Sequence, residues 1–176
     1  NTLADLQTTS VATSNLVITG DKALTITAAL DAEISSIDAS ANSGGVTLSA
    51  APAFANVTFK GGSGADTILV AAGNTVITGG AGNDVLTGTA AGADNISTGG
   101  GSDTITMTSL AATDVIDGGD GADTLVIAQN VANATVMGGV SNVETLEVTG
   151  ARDLDLVANV SATTFDFSSD DKQTLD

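Results

Sequence analysis

A chain of 176 residues suits one domain or one segment of a repeat array. Its 4 Lys and Arg stand against 21 Asp and Glu, a formal net charge of −17. That balance excludes a nucleic-acid surface, which needs cations at phosphate contacts, and direct adhesion to anionic lipid unless a cation bridges the charges. Only 14% of residues are charged and mean hydropathy is +0.29, so this is not the composition of a disordered acidic tail. Aromatic residues make up 2%, with Ala, Val, Leu and Ile supplying most of the apolar content, so the core must be thin. With no Cys, any cross-link within the chain has to come from something other than disulfides. No run of 18 apolar residues occurs, so no direct membrane insertion is expected.

Aliphatic clusters recur about every ten residues along the chain. They begin at Leu16-Val17-Ile18, Leu24-Thr25-Ile26 and Ile34 to Ile37. Val46-Thr47-Leu48, Val57-Thr58-Phe59, Ile68-Leu69-Val70, Val76-Ile77 and Val85-Leu86 follow. Ile96, Ile105, Val115-Ile116, Leu125-Val126-Ile127 and Val136-Met137 continue the series to Leu146-Glu147-Val148, Leu154-Asp155-Leu156 and Phe165-Asp166-Phe167. Between them lie Gly, Asn, Asp, Ser, Thr and Ala. This spacing predicts strands of three or four residues in an all-β fold, either a parallel β-solenoid or an antiparallel sandwich. Two-residue hairpin turns are scarce, which favours the solenoid, with about two short strands per coil. No 3.6-residue period persists, and the Gly, Thr, Val and Asn content disfavours helix.

Three zones follow from the turn composition: a degenerate repeat over 1–60, acidic glycine-rich turns over 61–128, and a degenerate repeat again over 129–176. The single proline is Pro52 and no linker composition occurs, so one continuous rod is expected. Both ends fall within the pattern, which suggests a segment of a longer chain.

The middle zone repeats Gly-Gly-x-Gly-x-Asp before an aliphatic strand. It reads Gly61-Gly62-Ser63-Gly64-Ala65-Asp66, Gly79-Gly80-Ala81-Gly82-Asn83-Asp84 and Gly118-Gly119-Asp120-Gly121-Ala122-Asp123. A weaker copy is Thr98-Gly99-Gly100-Gly101-Ser102-Asp103. Glycines allow a tight turn whose carbonyls point inward, and the aspartate adds the charged oxygen a hard cation takes. The sixth position of successive nine-residue units is Asp66, Thr75, Asp84, Asp94, Asp103, Asp114 and Asp123. If a coil holds two units, Asp66, Asp84, Asp103 and Asp123 stack on one side, and Thr75, Asp94 and Asp114 on the other. The first side holds every Gly-Gly turn. The second loses glycine progressively.

This stretch resembles the RTX (repeats-in-toxin) family of proteins secreted by Gram-negative bacteria. The resemblance implies a parallel β-roll with Ca2+ between successive turns of one side, held by carbonyls at positions one to four and the aspartate at position six. Carried over, the ligand positions are Gly61, Gly62, Ser63, Gly64 and Asp66, with Gly79, Gly80, Ala81, Gly82 and Asp84. Thr98, Gly99, Gly100, Gly101 and Asp103 follow, then Gly118, Gly119, Asp120, Gly121 and Asp123. Thr98 departs from the first glycine. Three ions are expected on this side, and one or two more around Asp94 and Asp114.

The flanks, at Gly20-Asp21-Lys22-Ala23-Leu24-Thr25-Ile26, Ile37-Asp38-Ala39-Ser40, Gly44-Gly45-Val46-Thr47-Leu48 and Ser141-Asn142-Val143-Glu144-Thr145-Leu146, resemble phrases of RTX-containing surface-layer (S-layer) proteins of alphaproteobacteria. Related phrases occur in large secreted adhesins.

Catalysis finds no support. Without His, Cys, Tyr or Trp there is no His-Glu-x-x-His zinc site and no serine–histidine pair. Asp117 and Asp120 read as solvated carboxylates beside the strongest turn. Glu144, Glu147, Asp153 and Asp155 read as an exposed acidic face, with a calcium-bridged contact to another chain as the alternative. Phe165 and Phe167 read as core at the end of the rod. The expected role is therefore non-enzymatic: a calcium-stabilised segment of a secreted cell-surface protein. Its expected partners are other copies of itself, through calcium-dependent lateral contacts. The alternatives are the stalk of an adhesin and the secretion tail of an RTX protease or lipase.

Overall fold

A computed structural model describes residues 2–3, 14–27, 30, 34–49, 56–69, 73–88, 92–128, 137–149 and 164–167. The described elements are strands in two sheets. The first sheet runs β1 (Thr2–Leu3), β3 (Leu24–Ile26), β5 (Val46–Leu48), β7 (Thr67–Leu69), β9 (Val85–Gly88), β11 (Thr104–Met107), β14 (Thr124–Ile127), β16 (Thr145–Val148) and β17 (Thr164–Phe167). The second runs β2 (Ser14–Gly20), β4 (Ile34–Asn42), β6 (Thr58–Lys60), β8 (Val76–Ala81), β10 (Asn95–Gly101), β12 (Val115–Asp117) and β15 (Val140–Ser141), with β13 (Asp120–Gly121) also pairing β10.

Neighbours in each sheet pair in parallel, and each coil contributes one strand to each sheet. The chain is thus a parallel β-solenoid, and the antiparallel sandwich is set aside.

Side-chain alternation builds the core. In the second sheet Ile37, Phe59, Ile77, Ile96, Ile116 and Val140 stand in register, coil upon coil. In the first sheet the column is Leu48, Ile68, Leu86, Ile105, Leu125 and Leu146. The two columns belong to one buried cluster. Each side chain stabilises the fold by about 1.5–3 kcal/mol through burial, and with one such residue per strand the interior needs no large aromatics. One place before the first sheet's core column, Thr47, Thr67, Val85, Thr104, Thr124 and Thr145 form a second row. These β-branched residues suit a pleated outer face.

Some strands exceed the three or four residues expected. β8 and β10 extend into the glycine turns, where Gly80 pairs Gly99 and Ala81 pairs Gly100. The turns are thus part of the coil-to-coil ladder. β4 is also long, at nine residues, and its pairing with β2 shifts register between Val17 and Thr19. Pairings β6–β8, β5–β7 and β14–β16 carry the sheets across residues 60 and 128. Pro52, Asp153, Asp155 and the side chains of Phe165 and Phe167 lie outside the described residues.

Candidate metal centre

The turn that leads from the second sheet to the first carries Asp66, Asp84, Asp103 and Asp123. All four are at most 1% exposed. Register explains the burial: the residue two places on (Ile68, Leu86, Ile105, Leu125) is in the core column, so the aspartate side chain turns inward as well.

Their carboxylates form a ladder. The backbone N–H of Asp66 donates to Asp84 Oδ1 at 2.8 Å, that of Asp84 to Asp103 Oδ1 at 2.7 Å, and that of Asp103 to Asp123 Oδ1 at 2.8 Å. The N–H of Val46 donates to Asp66 Oδ1 at 2.6 Å, closing the N-terminal end. Every bond runs the same way, from an amide to the carboxylate of the following coil.

The second oxygen of each carboxylate is different. Oδ2 of Asp66, Asp84, Asp103 and Asp123 is buried and has no hydrogen-bond partner, and among the described residues no other side-chain atom shares that condition. A buried polar atom left unpaired costs about 1–3 kcal/mol, more if charged. Four in one row mark places that call for a partner bringing positive charge or a hydrogen-bond donor.

The glycines show where such a ligand fits. A Cβ built on Gly61 would fall against Asp66 Oδ2 and the carbonyl oxygen of Gly79 in the next coil. One on Gly79 would fall against Asp84 Oδ2 and the carbonyl oxygen of Thr98. Carboxylate and carbonyl oxygens thus converge where the first position of the turn has no side chain. Gly80, Gly82, Gly99, Gly101, Gly119 and Gly121 hold φ between +87° and +146°, the region L side chains avoid. Gly62 and Gly64 do not adopt it. At Gly62 glycine is required by close approach to the Asn42 carbonyl.

Thr98 breaks the series. Its Oγ1 donates to the Gly118 carbonyl at 2.5 Å, so a side chain stands where the flanking coils keep a glycine. Among the described residues no three carboxylates meet at one point. Further oxygens at these places come from backbone carbonyls such as those of Gly79 and Thr98 and from water, the donor set a flexible, oxygen-rich calcium site uses.

Burial pushes the carboxyls of Asp66, Asp84, Asp94 and Asp123 up from the usual range. Asp84 reaches about 7, with the like charges of Asp66 and Asp103 adding to the effect of burial and the Asp66 amide opposing it.

The other side is built from ordinary hydrogen bonds. Asp94 Oδ1 accepts from Thr75 N–H at 3.1 Å and from Thr75 Oγ1 at 2.7 Å. Asp114 Oδ1 accepts from Asp94 N–H at 3.0 Å, and its Oδ2 from Ala111 N–H at 2.7 Å. The two stacks read from the repeat register are both present, but among the described residues only the first holds buried carboxylate oxygens without a partner.

Of the neighbouring carboxylates, Asp120 is exposed. Asp117 is half-buried and its Oδ1 accepts from Gly119 N–H and Asn142 Nδ2. The expected exposed acidic face is corrected at Glu144 and Glu147, which are half-buried. Glu144 Oε2 accepts the Asp123 N–H at 2.8 Å, extending the ladder by one coil. Sequence reasoning missed this because the coil has no Gly-x-Asp turn. The available signal was Glu144-Thr145-Leu146, which repeats Asp123-Thr124-Leu125 after 21 residues.

Residues 60–90, 70–105 and 108–126 match the family model of the RTX calcium-binding nonapeptide repeat, with 4 copies. No curated protein and no solved structure matches the chain.

Proposed function

We propose, for a chain that carries RTX calcium-binding repeats across residues 60–105 and 108–126, that it is a structural segment of a secreted cell-surface protein of the S-layer kind, which folds and assembles on calcium. Proteins with these repeats are typically secreted, and their β-roll domains are generally structural. The observation that carries the reading is the row of four buried, unpartnered Oδ2 atoms facing glycine cradles.

Asp66, Asp84, Asp103 and Asp123 hold the charge of the site, with the carbonyls of the facing turns completing it. Bound calcium supplies the positive charge that lets these carboxylates stay ionised in the interior. We place one ion in each gap between successive members of the stack, and up to two more around Asp94 and Asp114. In the Asp103–Asp123 gap Thr98 narrows the cradle.

The residues also account for a folding switch. Without a counter-ion the ladder aligns like charges in a buried row, while turn glycines carry a high conformational entropy cost. The glycine-turn region is expected to lose structure first on chelation, because each coil is stabilised by its neighbours. Lateral association of copies draws on the remaining surface carboxylates of a −17 chain, which repel until a divalent cation screens or bridges them.

Far-UV circular dichroism during a calcium titration, with magnesium as the comparison, tests the folding reading. Gain of β signal with calcium at concentrations where magnesium is inactive supports it. An unchanged β spectrum at neutral pH after full chelation overturns it. Light scattering on the same samples tests assembly: association at higher calcium than folding supports the S-layer reading, and a protein that stays monomeric there favours a stalk or secretion tail.

A further inference from the structure

We infer that the coil after the last repeat completes an additional calcium site, built by Asp123, Gly118, Asn142 and Glu144. It rests on the calcium reading of the preceding stack, but its residues from 142 on lie beyond the matched repeats.

The geometry repeats that of the motif coils with different residues. Asp123 is 0% exposed and its Oδ2 has no partner. A Cβ on Gly118 would lie 2.8 Å from that oxygen and would fall against the carbonyl oxygen of Asn142. Asn142 therefore presents its carbonyl as Gly79 does to Gly61 and Thr98 does to Gly79. Its φ of +50° is one of two positive values at non-glycine residues among those described. Asn is among the few side chains that tolerate this conformation. The Asn142 side chain is anchored to Asp117 Oδ1 at 2.7 Å, which fixes the carbonyl's direction.

Glu144 stands where a sixth-position aspartate would stand. Thr124 pairs Thr145 and Leu125 pairs Leu146, so the strands that follow Asp123 and Glu144 are in register. Asp117 pairs Ser141, so six residues of the motif turn face three in this coil. The shorter turn sets the backbone of residue 144 differently, and the additional methylene of glutamate carries the carboxylate to the Asp123 N–H at 2.8 Å. Two carboxylates and an aimed carbonyl then flank one cradle with no side chain in it. By contrast the preceding cradle contains Thr98. The additional site is thus more open than the third motif gap, although no repeat pattern announces it.

The test is calcium stoichiometry by equilibrium dialysis on the full chain, with Glu144→Gln and Gly118→Ala. Glu144→Gln keeps an oxygen to accept the Asp123 N–H and removes only the charge. Gly118→Ala keeps both carboxylates and fills the cradle. Each is expected to bind one calcium ion fewer than the parent chain. Wild-type stoichiometry in either variant would overturn the proposal. If the parent binds calcium and Asp84→Asn loses ions while Glu144→Gln loses none, this site fails and the motif stack stands. If the parent binds no calcium, the underlying reading fails with it.

Discussion

Replacing Asp84 separates the two things its carboxylate does. Oδ1 accepts the Asp66 N–H, and Oδ2 faces the cradle formed with Gly79 and Thr98. Asp84→Asn keeps an oxygen for the first task and removes the charge needed for the second. In chelator at pH 8 the wild-type carboxylate is ionised although burial and its neighbours hold its pKa at about 7, against 3.8 for a free aspartate. That difference corresponds to a destabilisation of up to about 4 kcal/mol. Asparagine escapes it, so without metal the variant should retain more β structure than wild type. With calcium in excess the order should reverse, because a charged ligand has been removed from the gaps on both sides of residue 84. Asp84→Ala should gain less than Asp84→Asn in chelator, since it leaves the buried Asp66 N–H without an acceptor, a penalty of about 1–3 kcal/mol. Circular dichroism of the three chains at pH 8, with urea added in steps, measures both orders. Equal stability of Asp84→Asn and wild type in calcium, or a more stable wild type in chelator, would refute the reasoning.

In chelator, stability should rise on acidification. The folded chain holds protons on Asp84 and Asp66 where the unfolded chain has released them, so the gain at Asp84 is fully present below about 3.8 and is lost as pH rises through about 7. Loss of metal-free β signal between pH 8 and pH 5 would contradict this. Gly80→Ala should cost about 1–3 kcal/mol, because φ is +113° and the added Cβ meets the Gly62 carbonyl. Gly100→Ala, with open space and no positive φ, should change stability by less than about 1 kcal/mol in the same denaturation assay. Thr98→Gly should restore the third cradle and raise calcium affinity, read by titration. An unchanged isotherm would show that the Thr98 hydroxyl does not obstruct the site.

The β-solenoid was legible because its two signals, aliphatic clusters and Gly-x-Asp turns, recur at one period. The register of Asp66, Asp84, Asp103 and Asp123 along the chain is enough to separate the two stacks. What escaped the sequence depends on contacts between coils. That Oδ1 is bonded while Oδ2 is orphaned follows from the offset between neighbouring turns, which no residue type encodes. The burial of Asp114 Oδ2 against Ala111 N–H arises from a turn with no glycine at that place. Glu144 was hidden for a related reason: its coil reaches the same point in space with three turn residues and a longer side chain.

The ladder of amides and carboxylates also gives the rod a polarity. Each coil is finished by an oxygen that arrives 18 to 21 residues later in the chain, from Asp84 for Asp66 through to Glu144 for Asp123. The two ends of the row are therefore unequal. Cutting coils from the N-terminal side strands a carboxylate oxygen, which water readily solvates at an open end. Cutting from the C-terminal side strands an amide proton beneath the last turn. A chain growing or emerging from its N-terminus can complete no coil until the next has appeared, whereas one docking from its C-terminus meets a finished template at every step.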